Sequence, residues 1–491
     1  MKNFQNEKRK SLNLIYVHLL NLNNRIISDM RKILLFLLFV SIAYLKLSPQ
    51  SNPDRIIISP NHHFLQYENG KPFFWLGDTG WFLFSKLNRE EVKVYLKNRK
   101  EKGFNVIQCM VVPSLPLANI YGDSAFINND ISQPAPTPYW SHIDYIIDQA
   151  EKYNIYIAMV PVWGTVAKQP QITPEKVEKY IEFLTKRFRN KQNIFWVNGG
   201  DIRGDIKPEI WNTIGNTIKK FDTIHLVTFH PFGRTQSSTW FQNSSWLDFN
   251  MFQSGHRRYD QTKGDGEFNN IGEDNYRYVL NDYPKIPAKP TLDGEPSYEN
   301  IPQGLHDTTQ PYWNADDCRR YAYWSVFAGA FGHTYGDNAV MQMYKGVDPK
   351  GNYQKGSYGV KNYWYQAIDD PGSFQMQYVA KLIMSRPYFE RVYDSTLVTD
   401  QGKRYNFIAA TRGKSYAFFY TFNGRPFSVN MGKITGDKVQ VSWYNPRNGS
   451  ATPIGDFNNT GILNFYPPGD KQDGNDWVLI LDDVAQNYTL P

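Results

Sequence analysis

The sequence predicts an α/β fold, a (β/α)8 TIM barrel, followed by a small antiparallel β-sandwich. Between about residues 70 and 390, short apolar runs alternate with amphipathic stretches, which is the pattern of βα units that build a parallel sheet. After about residue 392, apolar residues recur with a period of two, as in strands with one buried face. An open, doubly wound sheet is the alternative for the first part.

Eight candidate strands can be counted in the first part. They are short and largely apolar, and they cover residues 73–76, 105–112, 155–162, 194–197, 225–229, 247–251, 290–292 and, more weakly, 332–335. Helical patterns cover residues 89–102, 140–153, 174–189, 208–221, 276–280, 315–327 and 373–385, with no convincing helix between the fifth and sixth strands. Thr173 before Pro174 is typical of a helix start, because the hydroxyl can cap the first turn. Eight such units over roughly 320 residues fit a barrel with long loops.

The C-terminal part has the pattern of strands joined by tight turns. Apolar side chains alternate over residues 416–422 and 439–443, and Asn-Gly dipeptides at 423–424 and 448–449 favour turns beside these runs. About 100 residues of this kind predict a β-sandwich. The expected organisation is an N-terminal extension with a signal peptide over residues 1–43, a catalytic barrel over 55–391 and a sandwich over 392–491.

The N-terminal extension is typical of an exported protein. Residues 33–45 form an apolar stretch of 13, preceded by Arg31 and Lys32, which is shorter than the roughly 20 residues that span a bilayer. Ser41 and Ala43 supply the small residues of a cleavage site. We expect a signal peptide starting at Met30, no membrane insertion once it is removed, and a location in the periplasm, at the cell surface or in the medium. A lone N-terminal membrane anchor is the alternative.

Charge and cysteine usage argue against several function classes. Of the 54 basic and 47 acidic residues, seven and two fall within residues 1–43, which leaves a net charge of +2 for the rest. Without a broad positive field, a nucleic-acid partner is not expected. Cys109 and Cys318 lie in apolar segments and are predicted to be buried free thiols. Metal-ligand spacings, phosphate-binding loops and a serine-hydrolase elbow are not found, so no metal or cofactor is expected.

Polar and aromatic side chains cluster after the candidate strands. In a (β/α)8 barrel, residues at the C-terminal ends of the strands face the active site. The candidates there are Asp78, Trp81, Trp163, Asn198, Asp201, His230, Gln253, His256, Glu295, Tyr335 and Asp337. Carboxylates, amides, imidazoles and indoles in one ring are typical of a sugar pocket, and the 16% aromatic content agrees with this interpretation. The predicted partner is therefore a polysaccharide or oligosaccharide.

Asp201 and Glu295 form the predicted catalytic pair. Glycoside hydrolysis needs one carboxyl group to protonate the leaving oxygen and a second to attack the anomeric carbon or activate water. The two residues follow strands four and seven, on opposite sides of the barrel mouth. A separation of roughly 5 to 5.5 Å would give retention of configuration, which we expect. As alternatives, Asp201 could cap a helix or pair with Arg203, and Glu295 could bridge to an arginine.

The other candidates are predicted to bind substrate, and several have a structural alternative. Asp78, between Gly77 and Thr79, could also be a third catalytic acid or simply form a turn, since Asp is a good turn former. His230 and His256 could orient a carboxylate, bind sugar hydroxyls or be structural. Trp81 and Trp163 could stack on sugar faces or fill the core.

Three stretches carry a family resemblance: Gly77-Asp78-Thr79-Gly80-Trp81, Asn198-Gly199-Gly200-Asp201-Ile202-Arg203 and Asp293-Gly294-Glu295-Pro296-Ser297-Tyr298-Glu299. They resemble the apiosidase-like enzymes of glycoside hydrolase family 140 over most of residues 55–390. The C-terminal part resembles the small sandwich, often described as collagen-binding, that accompanies such domains. The resemblance implies that Asp201 is the acid/base and Glu295 the nucleophile, acting on apiose linkages in the pectic polysaccharide rhamnogalacturonan II.

The resemblance leaves some points open. The wider set of strand-four/strand-seven glycosidases usually has Asn-Glu after strand four, whereas this chain has Asn198-Gly199-Gly200-Asp201, so the role of Asn198 is not fixed. The alternatives are a glycosidase of the same barrel type acting on another plant or microbial glycan, and a non-catalytic carbohydrate-binding surface protein.

Overall fold

The computed structural model describes residues 54–261, 270–347 and 356–491. The expected signal peptide over residues 1–43 and its cleavage site lie outside these ranges. None of the described helices has the length and apolar character that crossing a bilayer requires.

The described strands and helices are numbered here in chain order. The strands are β1 Ile56–Ile58, β2 Leu65–Tyr67, β3 Pro72–Phe73, β4 Trp75–Thr79, β5 Val106–Met110, β6 Tyr156–Val160, β7 Ile194–Ile202, β8 Val227–Pro231, β9 Thr235–Gln236, β10 Asn250–Gln253, β11 Thr291–Asp293, β12 Gly332–Tyr335, β13 Val392–Tyr393, β14 Ile408–Arg412, β15 Tyr416–Thr421, β16 Phe427–Asn430, β17 Lys438–Tyr444, β18 Ala451–Asn458, β19 Ile462–Phe465 and β20 Trp477–Asp483. The α-helices are α1 Leu83–Lys86, α2 Arg89–Glu101, α3 Pro138–Lys152, α4 Gly164–Ala167, α5 Pro174–Phe188, α6 Pro208–Phe221, α7 Ser238–Phe241, α8 Tyr276–Asp282, α9 Ala315–Phe327, α10 Asn338–Met341, α11 Trp364–Ala367 and α12 Pro371–Met384.

Eight of the described strands form a parallel barrel. The strand order is β8-β7-β6-β5-β4-β12-β11-β10-β9, in which only β9 is antiparallel to its neighbour β10. The gap between β8 and β10 is bridged by the Asp248 N–H, which donates to the Val227 carbonyl at 2.8 Å, and by the Thr228 hydroxyl, which donates to the Phe249 carbonyl at 2.7 Å. The (β/α)8 prediction is therefore confirmed, and the open doubly wound alternative is wrong.

Local sequence signals account for most of these elements. Thr173 accepts a hydrogen bond from the Lys176 N–H and Pro174 opens α5, as predicted. Between β8 and β10, where no helix was expected, the chain forms only β9 and the single turn α7. A three-stranded antiparallel sheet, β1-β2-β3, precedes the barrel and was not predicted. Cys109 and Cys318 are buried free thiols, as expected.

Aromatic side chains fill the barrel interior. Trp75 of β4 lies 4.9 Å from Phe195, 6.0 Å from Phe249 and 6.3 Å from Phe331, measured between ring centroids. Large rings contribute much buried apolar area, so this cluster is a rigid base for the loops at the strand ends.

The C-terminal part is an antiparallel β-sandwich, as predicted. Strands β13-β14-β15-β20-β17-β18 form one sheet and β16-β19 form the other. Phe419, Val441 and Leu479 from the larger sheet share a core with Val429 and Phe465 from the smaller one.

The larger sheet also packs against barrel helices. Tyr420 of β15 stacks on Tyr323 of α9 with ring centroids 4.7 Å apart. Arg319 of α9 donates two hydrogen bonds of 2.8 Å to the buried Asp476 carboxylate. Aromatic packing and a buried ion pair thus join the two parts.

Candidate active site

The C-terminal ends of the barrel strands surround a cavity of about 740 Å³. Six of the predicted site residues line it: Trp81, Trp163, Asp201, Gln253, His256 and Glu295. His230 is fully buried and reaches the cavity through its contact with Glu295. The structure therefore brings seven predicted residues together.

Two glycines position Asp201 at the end of β7. Gly199 and Gly200 have φ of +86° and +113°, a region that glycine occupies without penalty. A side chain on Gly200 would meet the Trp163 ring at 2.4 Å, and one on Gly199 would meet the His230 carbonyl oxygen at 2.6 Å. The strand bulges here, and Asp201 follows in the left-handed region at φ +47°. The Asn-Gly-Gly-Asp motif is thus required for backbone geometry as well as for its carboxylate.

Glu295 lies between two histidines. His256 Nε2 is 3.1 Å from Oε1, and His230 Nε2 is 3.0 Å from Oε2. Only the His256 contact is aligned as a hydrogen bond, so Oε2 accepts no well-aligned hydrogen bond from the described residues. Oε1 is thus held by a hydrogen bond, whereas Oε2 contacts His230 without an aligned hydrogen bond.

The two carboxyl groups have opposite pKa shifts. Burial acts against the ionised form of Glu295, but the close contacts and the charges of His230 and His256 outweigh it and lower the pKa to about 2. Burial, and then the charge of Glu295, raise the pKa of Asp201 to about 6, against weaker opposing effects of the histidines and Gln253. Near pH 5, Glu295 is therefore ionised while Asp201 retains its proton.

Asp201 is exposed to the cavity, although protein atoms surround it on its other sides. Solvent and substrate can thus reach its carboxyl group, while desolvation still favours the protonated form. This environment is suited to a group that donates a proton and later takes one back.

Aromatic rings form one wall of the cavity. The Trp81 and Trp163 centroids are 5.2 Å apart, and both rings contact the His230 imidazole, at 5.5 and 5.8 Å. The Trp81 indole N–H donates to the Tyr298 hydroxyl at 3.0 Å. Trp81 is almost fully buried, whereas Trp163 is partly exposed.

Asp78 and Asn198 do not line the cavity. The Asp78 carboxylate accepts a 2.6 Å hydrogen bond from the Tyr95 hydroxyl and pairs with Arg99 at 3.3 Å, and all three side chains are buried. The Asn198 side chain donates to the Trp211 carbonyl at 2.7 Å. Both side chains hold barrel strands to helices, so substrate contact was the wrong expectation for them.

Tyr335 and Asp337 also lie outside the cavity. The buried Tyr335 hydroxyl donates to Glu299 at 2.6 Å. Asp337 is the N-cap of α10 and accepts hydrogen bonds from the Ala339 and Val340 N–H groups at 2.8 and 3.1 Å. Their roles are structural, and the expectation of substrate binding is corrected here too.

Several cavity residues were not predicted. Tyr298 belongs to the motif that contains Glu295, and burial together with the Glu295 charge raises its pKa well above the usual value. Arg234 and Arg257 follow β8 and β10 and could have been found by the rule that located His230 and His256. Tyr358 lies in a loop far beyond β12, where no strand-end rule applies.

Comparisons with known proteins agree with this geometry. The family model "Apiosidase-like, catalytic domain" matches residues 59–390, and the model "Putative collagen-binding domain of a collagenase" matches residues 392–482. A solved structure described as "Glycoside hydrolase" is 44% identical, with 89% of this chain and 98% of that chain covered and a TM-score of 0.85. A glycoside hydrolase family 5 protein from Bacteroides vulgatus is 43% identical, with coverages of 89% and 95% and a TM-score of 0.85.

Comparison with curated proteins gives no match. The family model nevertheless spans more than half of the chain, and both solved structures are similar over nearly their whole length. The chain belongs to the apiosidase-like family and is a glycoside hydrolase.

Proposed function

We propose that this glycoside hydrolase is exported and cleaves apiose linkages in rhamnogalacturonan II side chains with retention of configuration. The observation that carries the mechanism is the opposite pKa shift of two carboxyl groups in one cavity, to about 6 for Asp201 and about 2 for Glu295. Pairs of carboxyl groups with separated pKa values identify the acid and the nucleophile of a glycosidase.

The proposed first step transfers the Asp201 proton to the glycosidic oxygen while Glu295 attacks the anomeric carbon. The bond between that carbon and the leaving oxygen breaks, and a glycosyl ester to Glu295 forms. His256 holds Oε1, so Oε2 is the attacking atom. In the second step Asp201 takes a proton from water, the water oxygen attacks the same carbon, and the ester bond breaks. Two displacements restore the original configuration.

The sugar specificity rests on family membership and on the cavity walls. Trp163 offers a partly exposed ring, and a cavity of about 740 Å³ accommodates a few sugar residues. The family model is described as apiosidase-like, which favours apiose over other sugars. Another plant or microbial glycan is the alternative. Binding without catalysis is disfavoured, because both carboxylates are present and lie in one cavity.

The direct test is incubation of the protein with rhamnogalacturonan II and with a panel of other plant and microbial glycans. We expect release of apiose-containing products from rhamnogalacturonan II only, and NMR of the first product should show the substrate's anomeric configuration. Cleavage of another glycan alone would contradict the proposed specificity for apiose. An inverted first product would contradict the double-displacement mechanism. Export predicts that secreted protein begins near Tyr44, and full-length protein held in the membrane would contradict it.

A further inference from the structure

Tyr358 lies on the cavity wall in a loop between α10 and α11. Its ring is partly exposed and lies 5.5 Å from the His306 ring, which lines the same cavity. Among the described residues, none forms a hydrogen bond with the Tyr358 hydroxyl. A hydrogen-bonding group of the wall thus remains available to a ligand.

The backbone around Tyr358 is held in an unusual conformation. Tyr358 has φ +53° and Gly359 has φ +58°, and left-handed conformation is costly for a tyrosine. A side chain on Gly359 would meet the Tyr312 hydroxyl at 2.5 Å, so the loop is packed against its surroundings. A conformation of this kind persists only where neighbouring groups enforce it.

Two buried amides enforce it. The Asn338 side chain donates to the Tyr358 carbonyl at 2.8 Å and to the Asn300 carbonyl at 2.9 Å. The Gln342 side chain accepts from the Ser357 N–H at 2.8 Å and donates to the Ser357 carbonyl at 3.2 Å. Both amides belong to the segment that follows β12, so the loop is fixed to the barrel itself.

Tyr358 lines the same cavity as Asp201 and Glu295. Burial raises its pKa, and the charges of Asp201 and Glu295 raise it further. The hydroxyl therefore stays protonated at neutral and acidic pH, and it can donate a hydrogen bond.

We propose that Tyr358 is a substrate-contacting residue, whose hydroxyl donates a hydrogen bond to a hydroxyl group of the sugar bound between Asp201 and Glu295. This assignment rests on the proposed function, because it places the reacting sugar between those two carboxyl groups. The hydrogen bonds that hold the loop fix the backbone of Tyr358 and so restrict where its hydroxyl can lie. The position of this hydroxyl then helps to determine which sugar the site accepts. A sugar that lacks the matching hydroxyl would leave the site with an unpaired polar group.

The test compares Tyr358→Phe with Tyr312→Phe on rhamnogalacturonan II, or on whichever glycan of the panel the wild type cleaves. Tyr358→Phe keeps the ring and removes the hydroxyl. Tyr312→Phe removes a hydroxyl that donates to the Gly359 carbonyl at 3.2 Å, so it disturbs the same loop without altering the cavity wall. We expect kcat/KM to fall by about 10- to 100-fold in Tyr358→Phe, from the cost of leaving one hydrogen bond unmade, and to stay near wild type in Tyr312→Phe.

Wild-type kinetics in folded Tyr358→Phe would overturn the assignment, and so would an equal loss in Tyr312→Phe, which would locate the effect in the loop. If Tyr358→Phe does not fold, Tyr358→Gln and Tyr358→Leu repeat the comparison. The Gln variant keeps a donor and should be the more active, and equal activities would again overturn the proposal. Failure of the proposed function looks different: activity would survive in Asp201→Asn and Glu295→Gln, whatever the Tyr358 variants do.

Discussion

The backbone N–H of Asp201 donates a hydrogen bond to Nδ1 of His230 at 3.2 Å. The other nitrogen of the same ring, Nε2, lies 3.0 Å from Glu295. When Nδ1 accepts the Asp201 bond, the ring proton is on Nε2, where it faces the Glu295 carboxylate. A further proton on Nδ1 would instead be directed to the Pro231 carbonyl oxygen at 3.1 Å. One imidazole thus links the positions of Asp201 and Glu295.

The pH dependence should follow from the two carboxyl groups. The active form needs Glu295 ionised, which holds above its pKa of about 2, and Asp201 protonated, which holds below its pKa of about 6. We expect kcat/KM to be level between these values and to fall as pH rises through about 6. With a substrate that has a good leaving group, Asp201→Asn should lose the alkaline limb. An alkaline limb that persists in this variant would show that another group is the acid.

His256→Ala should move the acid limb of the pH profile. The imidazole donates to Glu295 Oε1 at 3.1 Å and helps to lower the pKa of that carboxyl group. Its removal should raise the Glu295 pKa, so that activity is lost at a higher pH on the acidic side. The control is His142→Ala, which removes a buried histidine that contacts the Leu87 carbonyl outside the cavity. An unshifted acid limb in His256→Ala would contradict the assignment.

Asp78→Ala should destabilise the protein without disabling the chemistry. The change leaves Arg99 buried without its carboxylate partner, which typically costs about 3 to 5 kcal/mol. Urea unfolding should show this loss, while kcat/KM per folded molecule stays near wild type. A folded Asp78→Ala variant with activity reduced by orders of magnitude would instead make Asp78 a candidate for the catalytic machinery.

The contact between barrel and sandwich should be essential for stability. Arg319→Ala removes two hydrogen bonds to the buried Asp476 carboxylate, which keeps its contact with Arg447 at 3.0 Å, and we expect a loss of about 1.5 to 3 kcal/mol in the free energy of unfolding. Lys97→Ala, which breaks an exposed pair with Glu101, should cost less than about 1 kcal/mol. Deletion from residue 393 onward should expose the apolar helix faces and reduce solubility. A soluble truncated enzyme with full activity but weaker polymer binding would instead indicate a glycan-binding module.

The fold could be predicted because its signals are local and repeated. Each predicted barrel strand overlaps an observed one, since short apolar runs between amphipathic helices are characteristic of βα units. The three-stranded sheet at residues 56–73 was missed because its strands have two or three residues each, too few for periodicity to emerge.

Four of the predicted site residues do not line the cavity. For three of them the physical reason is the alternation of side chains along a strand. On β4, Trp75 points into the barrel, so Asp78 points outward to helix α2. Asn198 on β7 and Tyr335 on β12 likewise face the surrounding structure. Chain position alone located these side chains near the strand ends, but only the strand register decides which face they occupy. Tyr358 was missed because it lies far along the chain from β12 and is brought to the cavity by contacts of its loop with Asn338 and Gln342, which the sequence does not reveal.

Azide rescue tests the central claim most directly, namely that Asp201 is the acid/base and Glu295 the nucleophile. In Asp201→Ala, azide should attack the glycosyl ester on Glu295, restore part of the turnover and give a glycosyl azide of retained configuration. Glu295→Ala should give no retained azide product. Rescue of Glu295→Ala with a retained product, or of Asp201→Ala with an inverted one, would contradict the account.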